Sequence, residues 1–544
     1  MKRKTNTSRK ATTDQKVGGL IAYIGQGSDS VDLPGAESAA PWRGTRRGKI
    51  SFPHIGFISA QGNALAGIRE HLTIGFHGRI DNIPGISSLL KTRSEDPLDL
   101  IAGLYLQKGD EFASHILGDF TIIIIDKKRL SLLAVRDWIG VRPLFWLKNG
   151  DEIAVATEIK QALALLRTPL KPAAQTLKAF MAWTGLDLTA TFAEGVQAVP
   201  PSGQLLVCPG SRPQVWRRKF TFSPVKIGMA EAAIEIRRLL EISLERRLPA
   251  GVHTGIFLSG GVDSPAVAGT AANLAKKGVI QPLECCYTQA LPEVPECDET
   301  EPASIVAKAC NVPWKPVEIT VADFRAWPQR AFSLHEGPVF ATACGARMMF
   351  EAAKGDGLDT ILMGTGGDEF ADQSCMELRQ SLFRREWSSA IRWIVAAGPR
   401  QIKGQMGIIA RVLRDKLLHG HRAETAFENT AASFSIRFAL EILEREATFH
   451  GITVEYPLLD FELASFLAGL PPKIKSTPAI TKAALRESVN GLVPDNVRLN
   501  PRVIVYNAVL TAALGSVPSN HTLHTFLNSH YAMYWENKAN GMMD

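Results

Sequence analysis

Short apolar stretches set off by turn residues fill the chain up to about residue 220 and predict a strand-rich first half. Residues 121–126, Thr-Ile-Ile-Ile-Ile-Asp, read as a buried strand, and Lys127-Lys128-Arg129 as the turn into a second strand over 130–135. A stretch punctuated by Ser, Pro and Gly, residues 221–228, marks a boundary. Beyond it a helical rhythm begins with Glu231-Ala232-Ala233-Ile234-Glu235-Ile236-Arg237-Arg238-Leu239-Leu240, and strands and helices then alternate. That alternation predicts a doubly wound parallel sheet followed by a helical C-terminal region. At the other end, residues 1–16 read as a flexible basic tail with Lys2, Arg3, Lys4, Arg9 and Lys10. Gly18 and Gly19 interrupt the apolar stretch that follows, so residues 17–24 predict a first strand rather than a secretory signal.

Two of the predicted strands end in glycine-rich loops that carry an acid. The strand Gly255-Ile256-Phe257-Leu258 runs into Ser259-Gly260-Gly261-Val262-Asp263-Ser264 and then into an alanine-rich helix over 265–277. Strand, Gly-Ser loop and helix N-terminus together form a cradle for an anionic phosphate. Asp263 fits such a cradle when a divalent cation sits between it and the phosphates. The strand Thr360-Ile361-Leu362-Met363 runs into Gly364-Thr365-Gly366-Gly367-Asp368-Glu369, a second loop of the same make. Two such loops at two strand ends predict one ATP–Mg²⁺ site at the C-terminal edge of a parallel sheet, with Asp263 and Asp368 holding the metal. No Gly-Lys-Ser/Thr follows the first glycines, which excludes a Walker A loop, and the dinucleotide GxGxxG is absent there.

Composition narrows the class further. The 544 residues, 45% apolar and 21% charged, are ordinary for a large globular enzyme of two or more domains. No apolar run is long enough for a membrane span. Seven cysteines, odd in number and without CxxC spacing, read as reduced thiols of a cytoplasmic protein; Cys285 and Cys286 are expected in the core. The formal charge of +7 is modest and partly in the tail. Arg217-Arg218-Lys219, flanked by Trp216 and Phe220, lacks a series of stacking aromatics and reads as a solvated face, so no nucleic-acid partner is expected.

Ser259 to Ser264 is similar to the pyrophosphate loop of ATP-pyrophosphatases, and most of the chain resembles the asparagine synthetase superfamily. The first half carries landmarks of its glutaminase part: Gly18-Gly19-Leu20, His77-Gly78-Arg79-Ile80-Asp81-Asn82, Gly118-Asp119-Phe120, the Arg136-Asp137-Trp138-Ile139-Gly140-Val141-Arg142-Pro143-Leu144 segment and Ala156-Thr157-Glu158-Ile159-Lys160. In the second half Asp298-Glu299, Pro457-Leu458-Leu459-Asp460 and Leu470-Pro471-Pro472 follow in the expected order. The resemblance implies an α+β glutaminase-like sandwich of the N-terminal-nucleophile type over 17–222, then an α/β ATP-pyrophosphatase domain over 223–544. It also implies ATP and Mg²⁺ as cofactors. Leu258, Ser259, Gly260, Gly261, Val262, Asp263, Ser264, Gly364 and Gly366 would cradle the nucleotide, with adenine against the 283–287 strand and Tyr287.

Three departures from the family pattern shape the expected activity. Where the family's nucleophilic cysteine aligns stands Gly18, residue 2 is Lys2, and His77 replaces the usual asparagine of the oxyanion site. The first domain therefore reads as an inactive glutaminase. Thr365 takes the place of the glutamate of asparagine synthetases and the tyrosine of β-lactam synthetases, and threonine supplies no titrating base. Arg502 is the expected substitute for the family's catalytic lysine, while Lys482 reads as a surface residue within a helix. Thr365, Glu369 and Arg502 form the candidate catalytic set. The pattern points to a lasso-peptide cyclase acting on a ribosomal precursor peptide, in company with a leader peptidase and a leader-binding protein. A small-molecule amide or β-lactam synthetase is the alternative.

Overall fold

The computed structural model describes residues 17–25, 31–52, 56–181, 186–208, 210–220, 222–339, 342–372, 433–476, 480–500, 509 and 511–512. Two six-stranded antiparallel sheets build the first half. In one, Gly18–Ile24 lies between Gly56–Gly62 and Glu152–Ala156; in the other, Phe120–Asp126 lies between Leu72–Gly78 and Ser131–Arg136.

The run of isoleucines in Phe120–Asp126 explains the layering. Successive side chains of a strand point to opposite faces. Ile123 and Ile125 pack on Leu20, Ala22 and Ile58 of the other sheet, whereas Ile122 and Ile124 pack on Leu98, Ile101 and Leu104 of the helix Pro97–Lys108. A strand covered on both faces has no polar side, so it reads as a continuous apolar run. The opposite sheet is covered in turn by the helix Ile159–Leu165, through Ile21 and Tyr23. The result is helix, sheet, sheet, helix.

A five-stranded parallel sheet organises the second half, in the order Trp314–Glu318, Cys285–Ala290, Thr254–Phe257, Thr360–Leu362, Thr453–Glu455. The chain starts at the centre, winds outward to Trp314–Glu318, then crosses back to the other side. The strands Thr254–Phe257 and Thr360–Leu362 are therefore neighbours that straddle the point where the winding reverses, and the loops after them open into one crevice. Cys286 is fully buried in this core. Among the described residues, the helices Phe434–Phe449, Phe461–Gly469, Pro472–Lys475, Ala483–Ser488 and Asp495–Arg498 follow toward the C-terminus. Trp138, Ile139 and Val141 of the first half belong to the same apolar core as the parallel sheet. No helix among the described residues is long and apolar enough to cross a membrane.

Candidate active site

The first glycine loop leaves the sheet at Leu258, whose N–H donates to the Tyr287 carbonyl at 2.8 Å. Ser259 N–H donates to Ser264 Oγ at 2.8 Å, and the two hydroxyls lie 2.9 Å apart, which closes the loop onto the first turn of the helix Asp263–Lys276. Val262 is buried and anchors the far side. The second loop fits directly against the first. A Cβ on Gly367 would lie 2.1 Å from Asp263 Cγ, and one on Gly364 would lie 2.5 Å from the Ser264 nitrogen. Only hydrogen at both positions lets the two acidic loops interlock.

Asp263 and Asp368 thereby converge. The Asp368 side chain is 81% exposed, while Asp263 is nearly enclosed and its Oδ1 has no hydrogen-bond partner. Burial, with a further push from Asp368, raises the Asp263 carboxyl to about 6 despite an attractive ammonium beside it. That ammonium is Lys482. Its Nζ lies 2.5 Å from Asp263 Oδ2 and 2.6 Å from Asp368 Oδ1. Burial works against its charge, but the two carboxylates more than offset this and hold it above the ordinary lysine range. An orphaned carboxylate oxygen beside a second carboxylate fits a divalent cation. Among the described residues no three His, Cys, Asp or Glu groups converge, which suits Mg²⁺ held by one or two carboxylates plus phosphate and water.

Lys482 corrects the expectation of a surface residue inside a helix. It is 8% exposed and precedes the helix Ala483–Ser488 in the left-handed conformation, φ +56°. Its N–H donates to Ser476 Oγ at 3.0 Å, and Ser476 donates to Asp372 just beyond the second loop. The alanines after it extend a helical pattern backward over a residue that in fact turns in toward the loops. Arg502, the residue expected in the lysine's place, lies outside the described residues.

The other expected site residues divide. Glu369 turns back on its own loop: Oε2 accepts from the Gly366 N–H at 2.9 Å, and burial with the Asp368 charge lifts its carboxyl to about 7. Thr365 is half-buried in the same loop. Tyr287 is buried with its ring beside Phe257, and its hydroxyl donates to Asp356 at 2.7 Å; only its backbone reaches the first loop. Glu299, read earlier only as a landmark, accepts from the Gly260 N–H at 3.1 Å.

The landmarks of the first half are closely packed. A Cβ on Gly18 would lie 2.7 Å from the Gln61 carbonyl oxygen and 2.8 Å from the Ala64 nitrogen, both backbone atoms. Arg43 fills the adjacent space: it donates to the Gly18 carbonyl at 3.2 Å and is paired at 2.7 Å with both Glu158 and Glu444. His77 is buried, and burial together with the charges of Arg142 and Arg43 holds it well below its ordinary pKa. Arg79 pairs with Asp81, Asp119 and, across the domain boundary, Glu455 at 2.6 Å. The Asp137 carboxylate accepts from the N–H groups of Ile139, Gly140, Val141 and Arg142, a tight turn that presents Trp138 to Phe370 behind the second loop.

Comparison with known proteins agrees with this architecture. Residues 235–509 match the asparagine synthase family and residues 62–216 match a glutamine amidotransferase domain. The chain belongs to the asparagine synthase family. It is similar to the amidase chry2 of Gibberella zeae (29% identical, 50% of this chain, 42% of that protein) and the amidase chyE of Penicillium rubens (30%, 50% and 42%). It also resembles asparagine synthetase B of Escherichia coli, 27% identical over 33% of this chain and 28% of that one. These alignments span less than half the length of each relative. Among solved structures, glutamine phosphoribosylpyrophosphate amidotransferase from B. subtilis aligns over 55% of this chain and 65% of its own at 12% identity, with a TM-score of 0.27, too low to add to the argument.

Proposed function

We propose that this chain is an ATP-dependent lasso-peptide macrolactam synthetase. A side-chain carboxylate oxygen of Asp or Glu in a precursor peptide attacks the α-phosphorus, and the bond to the departing pyrophosphate breaks. The peptide's own N-terminal nitrogen then attacks the acyl carbon, the C–O bond to AMP breaks, and the amine gives up its proton. Bound Mg²⁺ supplies charge neutralisation on the phosphates. Asp263 and Asp368 would hold it, the amides of the first loop would face the phosphates, and Lys482 takes the part first given to Arg502, a cation for the leaving group.

The observation that carries this reading is the packing around Gly18. Backbone against that position and Arg43 beside it leave little space for a side chain larger than glycine, which supports an amine that arrives with the substrate. An α-amine, with a reference pKa of roughly 8, suits a site whose loop carries Thr365 rather than a base. A leader peptidase and a leader-binding protein are the partners such a precursor requires. The relatives named asparagine synthetase favour a second reading, a small-molecule amide synthetase.

The full chain, incubated with ATP–Mg²⁺ and the processed precursor, should yield a peptide lighter by one water together with AMP and pyrophosphate. Acetylating the peptide's amine should stop ring closure while pyrophosphate release continues. Asp263→Ala and Asp368→Ala should each abolish pyrophosphate release without loss of the thermal transition. Asparagine made from free aspartate and ammonia, with no dehydrated peptide, selects the second reading. ADP as product excludes both.

A further inference from the structure

In the nucleotide crevice the Glu299 carboxylate and the Lys482 ammonium each sit on a group suited to a part of ATP–Mg²⁺. Glu299 Oε1 sits 3.1 Å from the Gly260 nitrogen, an oxyanion on an amide suited to a phosphate oxygen. Lys482 Nζ sits between the two carboxylates suited to a divalent metal, 2.5 and 2.6 Å from them.

Both side chains are carried on fixed backbone. Glu299 stands at the start of the helix Thr300–Cys310, where the neighbouring Asp298 carboxylate accepts from the N–H groups of Thr300 and Leu291. Lys482 is pinned by Ser476 on its N–H and by the Arg486 N–H, 2.9 Å from its carbonyl. Each reaches the loops through its long side chain. Asp263 Oδ1, buried and without a hydrogen-bond partner, marks the lysine as an incomplete match for the place it fills.

We infer that Lys482 and Glu299 are resident counter-ions of the nucleotide site, displaced together when ATP–Mg²⁺ enters, so that the divalent metal is admitted only with the nucleotide. The inference rests on the reading of Asp263 and Asp368 as the metal's holders. Free metal must drive an ammonium from between two carboxylates, which is costly for a group this buried. The nucleotide removes that cost. The displaced ammonium meets phosphate oxygens, and the Gly260 amide exchanges a carboxylate for a phosphate. The metal takes the place of the ammonium, and a phosphate oxygen takes the place of the Glu299 carboxylate.

The test is Mn²⁺ binding to the full chain by electron paramagnetic resonance, with and without ATP. Wild type should bind Mn²⁺ tightly with ATP. Without nucleotide it should bind about tenfold or more weakly than Lys482→Met, whose two carboxylates lack the resident cation. Lys482→Arg, which keeps the charge, should exclude Mn²⁺ like wild type and guards against a merely steric effect. Adding Asp263→Asn to Lys482→Met should remove the new site. Wild type that binds free Mn²⁺ as tightly as Lys482→Met, or Lys482→Arg that admits it, overturns the inference and leaves the metal site standing. Wild type that fails to bind Mn²⁺ even with ATP overturns the metal site itself.

Discussion

Lys475 shows how differently the same side chain behaves with no anion beside it among the described residues. It is 1% exposed, and its Nζ donates to the Ala468 carbonyl at 3.1 Å. Burial pulls its pKa down to about 7, far below a lysine in water. The unfolded chain, titrating at roughly 10.4, binds the extra proton between those values, so this residue makes stability rise with pH from about 7 to 10. Below pH 7 the full penalty applies. Lys475→Met should therefore raise the melting temperature at pH 6, by a stabilisation of up to about 5 kcal/mol, and the gain should shrink toward pH 10. A pH-independent difference between variant and wild type in thermal melts would show that the ammonium stays charged in the fold. Lys482, with two carboxylates in reach, is held charged instead. Nothing local in the sequence separates the two lysines. Asp263 and Asp368 were legible because glycines and a preceding strand announce each loop. Lys482 was not, because its partners lie on two distant loops and its left-handed turn hides behind an alanine pattern.

Elements with local causes were legible too. The strand, loop and helix around Ser259 fall where periodicity places them: the helix expected over 265–277 is Asp263–Lys276, and the strand expected over 121–126 is Phe120–Asp126. The helix Phe434–Phe449 carries a burial pattern that no amphipathic reading yields, since it is buried on most sides and hides charged residues as well as apolar ones. Arg437, Glu441, Glu444, Arg445 and Thr448 form one stripe and are all buried. Glu441 pairs with Arg136, Glu444 with Arg43, and Arg445 with Glu158 and Glu336. The partner of Glu444 is 401 positions away, so only the fold reveals it. Removing one member leaves Arg43 buried with half its compensation. Glu444→Ala should cost about 3–5 kcal/mol in urea unfolding, and Glu444→Gln less, because it keeps a hydrogen-bond acceptor. A loss under about 1 kcal/mol would mean that water reaches this interface and screens it.

At the scale of the whole molecule, the first domain is joined to the second half through Arg43 and several of the residues read as glutaminase landmarks. Arg43, Arg79, Arg136, Arg142 and Glu158 all pair with residues of the second half, and Trp138 packs behind the second loop. Placing a thiol at position 18 meets the Gln61 carbonyl and the Ala64 nitrogen within 2.8 Å, so the backbone has to move. The buried, neutral His77 sits under the field of Arg142 and Arg43, and Arg43 is bonded to the Gly18 carbonyl itself. We therefore expect a trimmed chain beginning at position 18 and carrying Gly18→Cys to release no glutamate from glutamine above background, as for wild type. Its thermal transition should fall, since the substitution pushes apart the strands Gly18–Ile24 and Gly56–Gly62. Glutamate release that appears with Gly18→Cys and is absent with Gly18→Ala in the same trimmed chain would show a pocket still open to glutamine. The peptide's own amine would then no longer be the required nucleophile.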